Sequence, residues 1–164
     1  MRRAVATVSL SGTLRQKLEA IAAARFDAIE LFENDFVHSM MPARELASMC
    51  ADLGLGIDLY QPFRDFEGMP DAAFAKSLER AERKFDVMQA LGCDLLLVCS
   101  NVAPDSLGGI DRAAADLRAL GERAAKRGMR IAFEALAWGR HINDYRDAWA
   151  VSYTHLTLPT TERV

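Results

Sequence analysis

Little in this sequence points away from an ordinary packed domain. No apolar run approaches the roughly 20 residues that cross a bilayer, and the N-terminal MRRAVATVSLSG lacks the apolar core and cleavage site of a secretory leader. The three cysteines, Cys50, Cys93 and Cys99, are an odd set without CxxC spacing. That excludes a disulfide framework or a cysteine-rich zinc site and suits reduced, buried thiols in a cytoplasmic protein. Positive charge is not in excess: 20 Lys and Arg against 23 Asp and Glu give a net charge of −3. Neither nucleic acid nor a membrane surface is therefore expected as a partner. After the first strand the chain reads SLSGTL, without GxGxxG or a GxxxxGK loop, so the common nucleotide-binding open sheets lose support. Ser9, Ser11 and Ser100 lack a GxSxG elbow and no cysteine neighbours a histidine, which leaves no nucleophile constellation.

What is present is a regular alternation. Of the 164 residues, 51% are hydrophobic and 26% charged, enough for one core and one domain. Ala4–Leu10 reads as a strand, and Thr13 as the N-cap of a helix through Ala24 with Leu14, Leu18 and Ile21 on one stripe. Asp27–Phe32 is a second strand, followed by a loop with Asn34 and Asp35. A helix then runs from Pro42 to Leu53 and is stopped by Gly54. Gly56–Tyr60 is a third strand and Gln61–Pro70 a loop rich in Pro, Gly and charge. A long helix from Asp71 to Leu91 presents Phe74, Leu78, Ala81, Phe85 and Met88. The LLLVC run within Asp94–Cys99 suits a strand covered on both faces. A loop over Asn101–Gly109, a helix over Asp111–Arg127, a fifth strand over Arg130–Glu134 and a short helix from Asn143 or Asp144 through Trp149 complete the pattern.

Strands alternating with helices at intervals of about thirty residues imply βαβ crossovers and a parallel sheet. An open doubly wound sheet and the first part of an eight-fold barrel both fit. A closed barrel takes about 250 residues, so the expectation on the barrel side is an α/β, incomplete (β/α)8 TIM barrel of about five βα units. The tail VSYTHLTLPTTERV, with four threonines and a proline, loses the amphipathic period abruptly. The domain is therefore expected over 1–150. Residues 151–164 are expected to be non-native or disordered, since SYTHLTLPTT resembles translated adapter read-through following lost coding sequence.

Strand C-termini of a parallel sheet share one rim. There the sequence places Ser9 and Ser11, Glu30 and Glu33, Gln61, Arg64 and Asp65, Ser100 and Asn101, and Glu134 with His141. Such a set suits a small anionic, oxygen-rich substrate beside a divalent cation: carboxylates hold a hard metal, Arg forks onto a carboxylate, and amides orient hydroxyls. Each residue also has a plainer reading. Glu134 could pair with Arg130 or Arg140, and Arg64 with Asp65 or Glu67 in a surface ion pair. Glu30 and Glu33 could face solvent, Asn101 could shape a turn, and Trp138 could pack under its loop.

The strings ATVSLSGTL at 6–14, IELFEND at 29–35, QPFRDFEG at 61–68, ERAERKFDVMQALGCDLLLVCSNV at 79–102 and FEALAWGRHINDY at 133–145 carry a resemblance. From Arg3 to about Ala150 the chain resembles the sugar phosphate isomerase/epimerase superfamily, the xylose isomerase-like TIM barrels. Within it, the match is to the bacterial 3-dehydroshikimate dehydratases, some of which carry a C-terminal dioxygenase-like domain. The resemblance implies a divalent metal, Mg2+, Mn2+ or Co2+, with Glu134 as the first ligand and the others, along with the acid/base residues, beyond Ala150. It implies Arg64 as partner of a small-molecule carboxylate substrate, with Gln61 and Asn101 assisting, and it allows a homo-oligomer. The implied reaction removes water from 3-dehydroshikimate to give protocatechuate, in aromatic compound catabolism, and the fragment alone is expected to be inactive. A sugar-phosphate or keto-sugar isomerase or epimerase on the same barrel and a non-catalytic interaction module are the competing readings.

Overall fold

Strands and helices alternate along the chain, with two helices between the second and third strands, and the computed structural model describes residues 1–155. Strands β1 (Ala4–Ala6), β2 (Ala28–Phe32), β3 (Gly56–Phe63), β4 (Leu95–Cys99) and β5 (Arg130–Glu134) lie in one sheet in their sequence order. β1 pairs parallel with β2, and β2 parallel with β3. The helices are α1 (Leu14–Ala23), α2 (Glu33–Ser39), α3 (Ala43–Asp52), α4 (Asp71–Leu91), α5 (Ile110–Lys126) and α6 (Tyr145–His155). This is the parallel βα succession expected of an incomplete (β/α)8 barrel.

The chain forms two compact units. The first joins Met1–Pro62 to Arg83–Leu97. Its α1 starts as the sequence predicts. The Thr13 side chain accepts from the Gln16 backbone N–H at 3.4 Å, and Gln16 Oε1 accepts from the Thr13 N–H at 2.9 Å. This reciprocal capping box satisfies two donors that a helix start leaves orphaned. Leu14, Leu18 and Ile21 are buried on the stripe their spacing sets.

Three expectations in this unit are corrected. β1 stops at Ala6, four residues short, and Thr7–Ser9 form a 3-10 turn instead. Thr7 is buried and its hydroxyl accepts the Phe32 N–H at 3.0 Å, so a side chain takes over the pairing from the strand. The expected loop around Asn34 and Asp35 is the helix α2. Glu33 and Asp35 in its first turn suit the positive end of the helix dipole, and Asp35 is pinned by the buried Lys17 at 2.7 Å. β3 continues past Tyr60 to Phe63, with Gln61 in register against Phe32 and a cis Gln61–Pro62 bond.

The second unit joins Phe63–Glu82 to the chain from Val98 onward. Its core includes Phe63, Phe66, Ala81, Leu117, Leu120 and Ala124. The rings of Phe63 and Phe66 lie 5.2 Å apart, and those of Phe66 and Phe74 5.4 Å apart. Such tilted contacts add to the apolar burial. α6 extends to His155 rather than ending at Trp149. Val151 is fully buried, and Trp149 stacks on Tyr153 one turn later at 5.4 Å, which carries the helix onward. The composition break expected at residue 151 thus falls inside a helix, and residues 156–164 of the expected tail lie outside the described residues.

Candidate functional site

The strand ends of the first unit hold two polar pairs. Gln61 Nε2 donates to Glu30 Oε2 at 3.0 Å, a contact the sequence set side by side on the rim but did not pair. Glu33 accepts from the Tyr60 hydroxyl at 3.1 Å and from Lys84 Nζ. Both acids are half-buried rather than turned to solvent. Burial, with the Glu33 charge beside it, pushes the Tyr60 phenol well above its ordinary range, so it acts as a neutral donor.

The second unit contains Arg64, Asn101 and Glu134. β5 ends at Glu134 as the sequence predicts, and the Glu134 carbonyl accepts the Ser100 N–H at 2.8 Å. The Ser100 hydroxyl accepts the Leu136 N–H at 2.9 Å. Gly139 is needed beneath this turn, because a Cβ there would collide with the Ile142 carbonyl and the Ser100 hydroxyl. The exposed Glu134 side chain meets the Cys99 thiol at 3.7 Å. Burial and the Glu134 charge push that thiol up to about 11, so it is a neutral donor toward the carboxylate. Glu134 also lines an open, largely apolar cavity of about 700 Å³ with Phe133, Tyr145, Trp149 and Ser152.

Arg64 is exposed, and its charge is felt at Cys99. The loop it stands on is tied from α4: Arg80 donates to the Arg64 carbonyl at 2.7 Å while its guanidinium covers the Phe63 ring. Glu67, read in the sequence only as a local partner for Arg64, sits quite differently. It is 4% exposed, and its Oε1 accepts the Asn101 N–H at 2.5 Å. Burial pushes its carboxyl up to about 7, the Asn101 N–H works against that rise, and nearby Asp116 and Asp65 add to it. Asn101 spends its whole amide internally: Nδ2 donates to the Glu67 carbonyl at 2.6 Å and to Met69 Sδ at 3.1 Å, and Oδ1 accepts from Ala103. His141, the other rim candidate, is held by the Ser106 carbonyl at 2.9 Å.

Ser100 stands on the rim beside Asn101 as the sequence places it, whereas Glu67 and Cys99 are members of this cluster that the sequence reading does not include. The signal for Glu67 lay in QPFRDFEG, where an acid between Phe66 and Gly68 stands in an apolar setting. Gly68 confirms the tightness. Its N–H bonds Asp116 at 2.7 Å, its φ is +70°, and a Cβ would strike the Leu107 carbonyl.

The cluster by itself does not fit a metal ion. Among the described residues no group of three His, Cys, Asp or Glu could hold one. Among the described residues no helix is long and apolar enough to cross a membrane.

Comparison with known proteins gives the cluster its family. The model of the xylose isomerase-like TIM barrel matches residues 18–153. The 3-dehydroshikimate dehydratase of Pseudomonas putida is 60% identical over 149 residues, which cover 91% of this chain and 24% of that protein. A solved xylose isomerase-like TIM barrel/4-hydroxyphenylpyruvate dioxygenase fusion protein superposes with a TM-score of 0.91 at 59% identity, over 93% of this chain and 25% of that one. The IOLI protein, solved with a zinc atom, superposes with a TM-score of 0.80 at 14% identity over 95% of this chain and 59% of its own, a likeness of fold. The chain therefore spans about a quarter of the length of the Pseudomonas putida enzyme and of the fusion protein. It belongs to the xylose isomerase-like TIM barrel family.

Proposed function

We propose that the whole protein is a lyase that removes water from 3-dehydroshikimate to give protocatechuate, and that these 164 residues alone are inactive. The observation that carries this reading is the 60% identity over 149 residues to a 3-dehydroshikimate dehydratase, with Arg64 and Glu134 standing in one compact unit. Arg64 is exposed on a loop braced by Arg80. Its planar fork suits a carboxylate substrate. Gln61, held by Glu30 in the first unit, keeps an assisting role on the strength of the resemblance. Asn101, with its amide spent on Glu67, Met69 and Ala103, contributes by placing the rim rather than by touching substrate.

A divalent cation, Mg2+, Mn2+ or Co2+, is proposed as cofactor of the whole protein, with Glu134 as one ligand and the rest supplied from outside the described residues. The zinc of the IOLI protein supports a metal in this fold. When bound, such an ion polarises a carbonyl and stabilises the charge that develops on it. Within this chain, the Cys99 thiol holds the Glu134 carboxylate in orientation. A cytoplasmic location is proposed from the three buried free thiols.

The test is to give the whole protein 3-dehydroshikimate with each metal and follow protocatechuate by its absorbance, beside a panel of sugar phosphates and keto-sugars. Protocatechuate formation is expected. Turnover confined to the sugar panel would replace the lyase with an isomerase or epimerase.

A further inference from the structure

We propose that Glu67 is a positioning residue of this site: its buried carboxylate sets the loop after β4, and through that loop the strand end that carries Glu134. The inference rests on the reading of Glu134 as a functional group. Three observations carry it.

The first is connectivity. Glu67 grips Asn101 twice, through Oε1 to the backbone N–H and through its own carbonyl to the side-chain amide. Asn101 passes the constraint on, since its carbonyl accepts the Arg140 N–H at 2.8 Å, two residues beyond Trp138 in the loop after β5. Next to it, Ser100 holds both sides of the strand end, the Glu134 carbonyl through its N–H and the Leu136 N–H through its hydroxyl. The loop carrying Arg64 is thus tied by hydrogen bonds to the strand end carrying Glu134, and the Glu67 side-chain carboxylate is part of that path.

The second is cost. Glu67 is 4% exposed, and its Oε2 is buried without a hydrogen-bond partner among the described residues. The groups facing it deepen the penalty: Asp116 from α5 and Asp65 from its own loop are acids, and the backbone N–H groups of Asn101 and of Glu67 itself oppose them. A half-satisfied buried acid destabilises a fold. Such breaches of local rules gather at functional sites.

The third is geometry. The loop bends tightly enough to need Gly68 at φ +70° and places Asp65 at φ +52°. Both conformations are uncommon for ordinary residues. The loop is shaped to bring Glu67 inward between Phe66, itself fully buried, and Gly68.

The experiment compares Glu67→Gln, Glu67→Ala and Glu67→Asp in the whole protein, by amide hydrogen exchange and by turnover. Gln keeps an acceptor for the Asn101 N–H without the charge. Ala removes the acceptor, and Asp is one methylene short. Exchange in peptides covering 99–103 and 134–141 is expected to rise about tenfold in the Ala and Asp variants and to stay near the parent in Gln. kcat is expected to fall about tenfold or more in the Ala and Asp variants and to be restored in Gln, with KM little changed. If Glu67→Ala does not fold, the contrast between Gln and Asp carries the test. Unchanged exchange in both Ala and Asp, or in Asp alone when Ala does not fold, overturns the proposal, as does a Gln variant no better than the other variants. A parent protein that makes no protocatechuate overturns the lyase reading instead, and leaves the exchange comparison to judge Glu67 by itself.

Discussion

The turn into α1 and the loop from Arg64 to Gly68 are both short hinges between regular elements, and they treat polar groups in opposite ways. At Thr13 the donors at the helix start are met reciprocally by Thr13 and Gln16, in an exposed setting where little is at stake. In the second loop Asp65, Glu67 and, across from it, Ser106 each keep a buried polar atom without a partner among the described residues. The first turn follows every local rule. The second breaks several while holding the residue most suited to bind a carboxylate. That difference is the pattern expected when one segment serves the fold and the other serves a site.

Three substitutions probe the contrast, beginning with the largest effect. Phe66→Ala removes a fully buried ring packed between Phe63 and Phe74. It should cost about 3–5 kcal/mol in denaturant unfolding. A loss below about 1 kcal/mol would mean the loop is not anchored by its aromatics. Glu67→Gln sharpens the comparison through pH. Glu67 titrates near 7 in the folded protein against 4.5 as its ordinary value. The folded state therefore binds more protons between those two values, and stability falls as pH rises from about 4.5 through about 7. Gln removes this slope. The variant should match the parent below pH 4 and exceed it by on the order of 3 kcal/mol at pH 8. Parallel stability profiles would show that Glu67 carries no burial penalty. Thr13→Ala breaks only the local rule-follower, and thermal or denaturant unfolding should register about 1 kcal/mol.

The same contrast explains what could be read in advance. Helix α1, β5 and the full span of α4 were legible because capping residues, glycine stops and apolar periodicity act over a few neighbours. α2 was missed because it is only seven residues long and draws its stability from the Lys17–Asp35 ion pair, eighteen positions apart in sequence. β3 was cut short because Pro62 reads as a break, whereas pairing of Gln61 with Phe32 and burial of Phe63 carry the strand on. Among the site residues, Glu134 was legible as an acid closing an apolar run. Its neighbour Cys99 was not, because 35 residues separate the two. Glu67 was misread as a surface partner of Arg64 for a related reason: its burial depends on Asn101 and Asp116, 34 and 49 residues away, and no local pattern reports that. Asn101 is read from the sequence as a rim residue assisting with substrate, and its amide is committed to the loop it braces.

The proposed dehydratase activity places Arg64 and Glu134 in its site. The most direct measurement is the rate of protocatechuate formation from 3-dehydroshikimate by the whole protein, parent against Glu134→Gln, with Mg2+, Mn2+ or Co2+ present. Product is expected from the parent, with at least about a hundredfold loss in the variant. Equal rates in the two, or no product from a folded parent with any of the three metals, would contradict it.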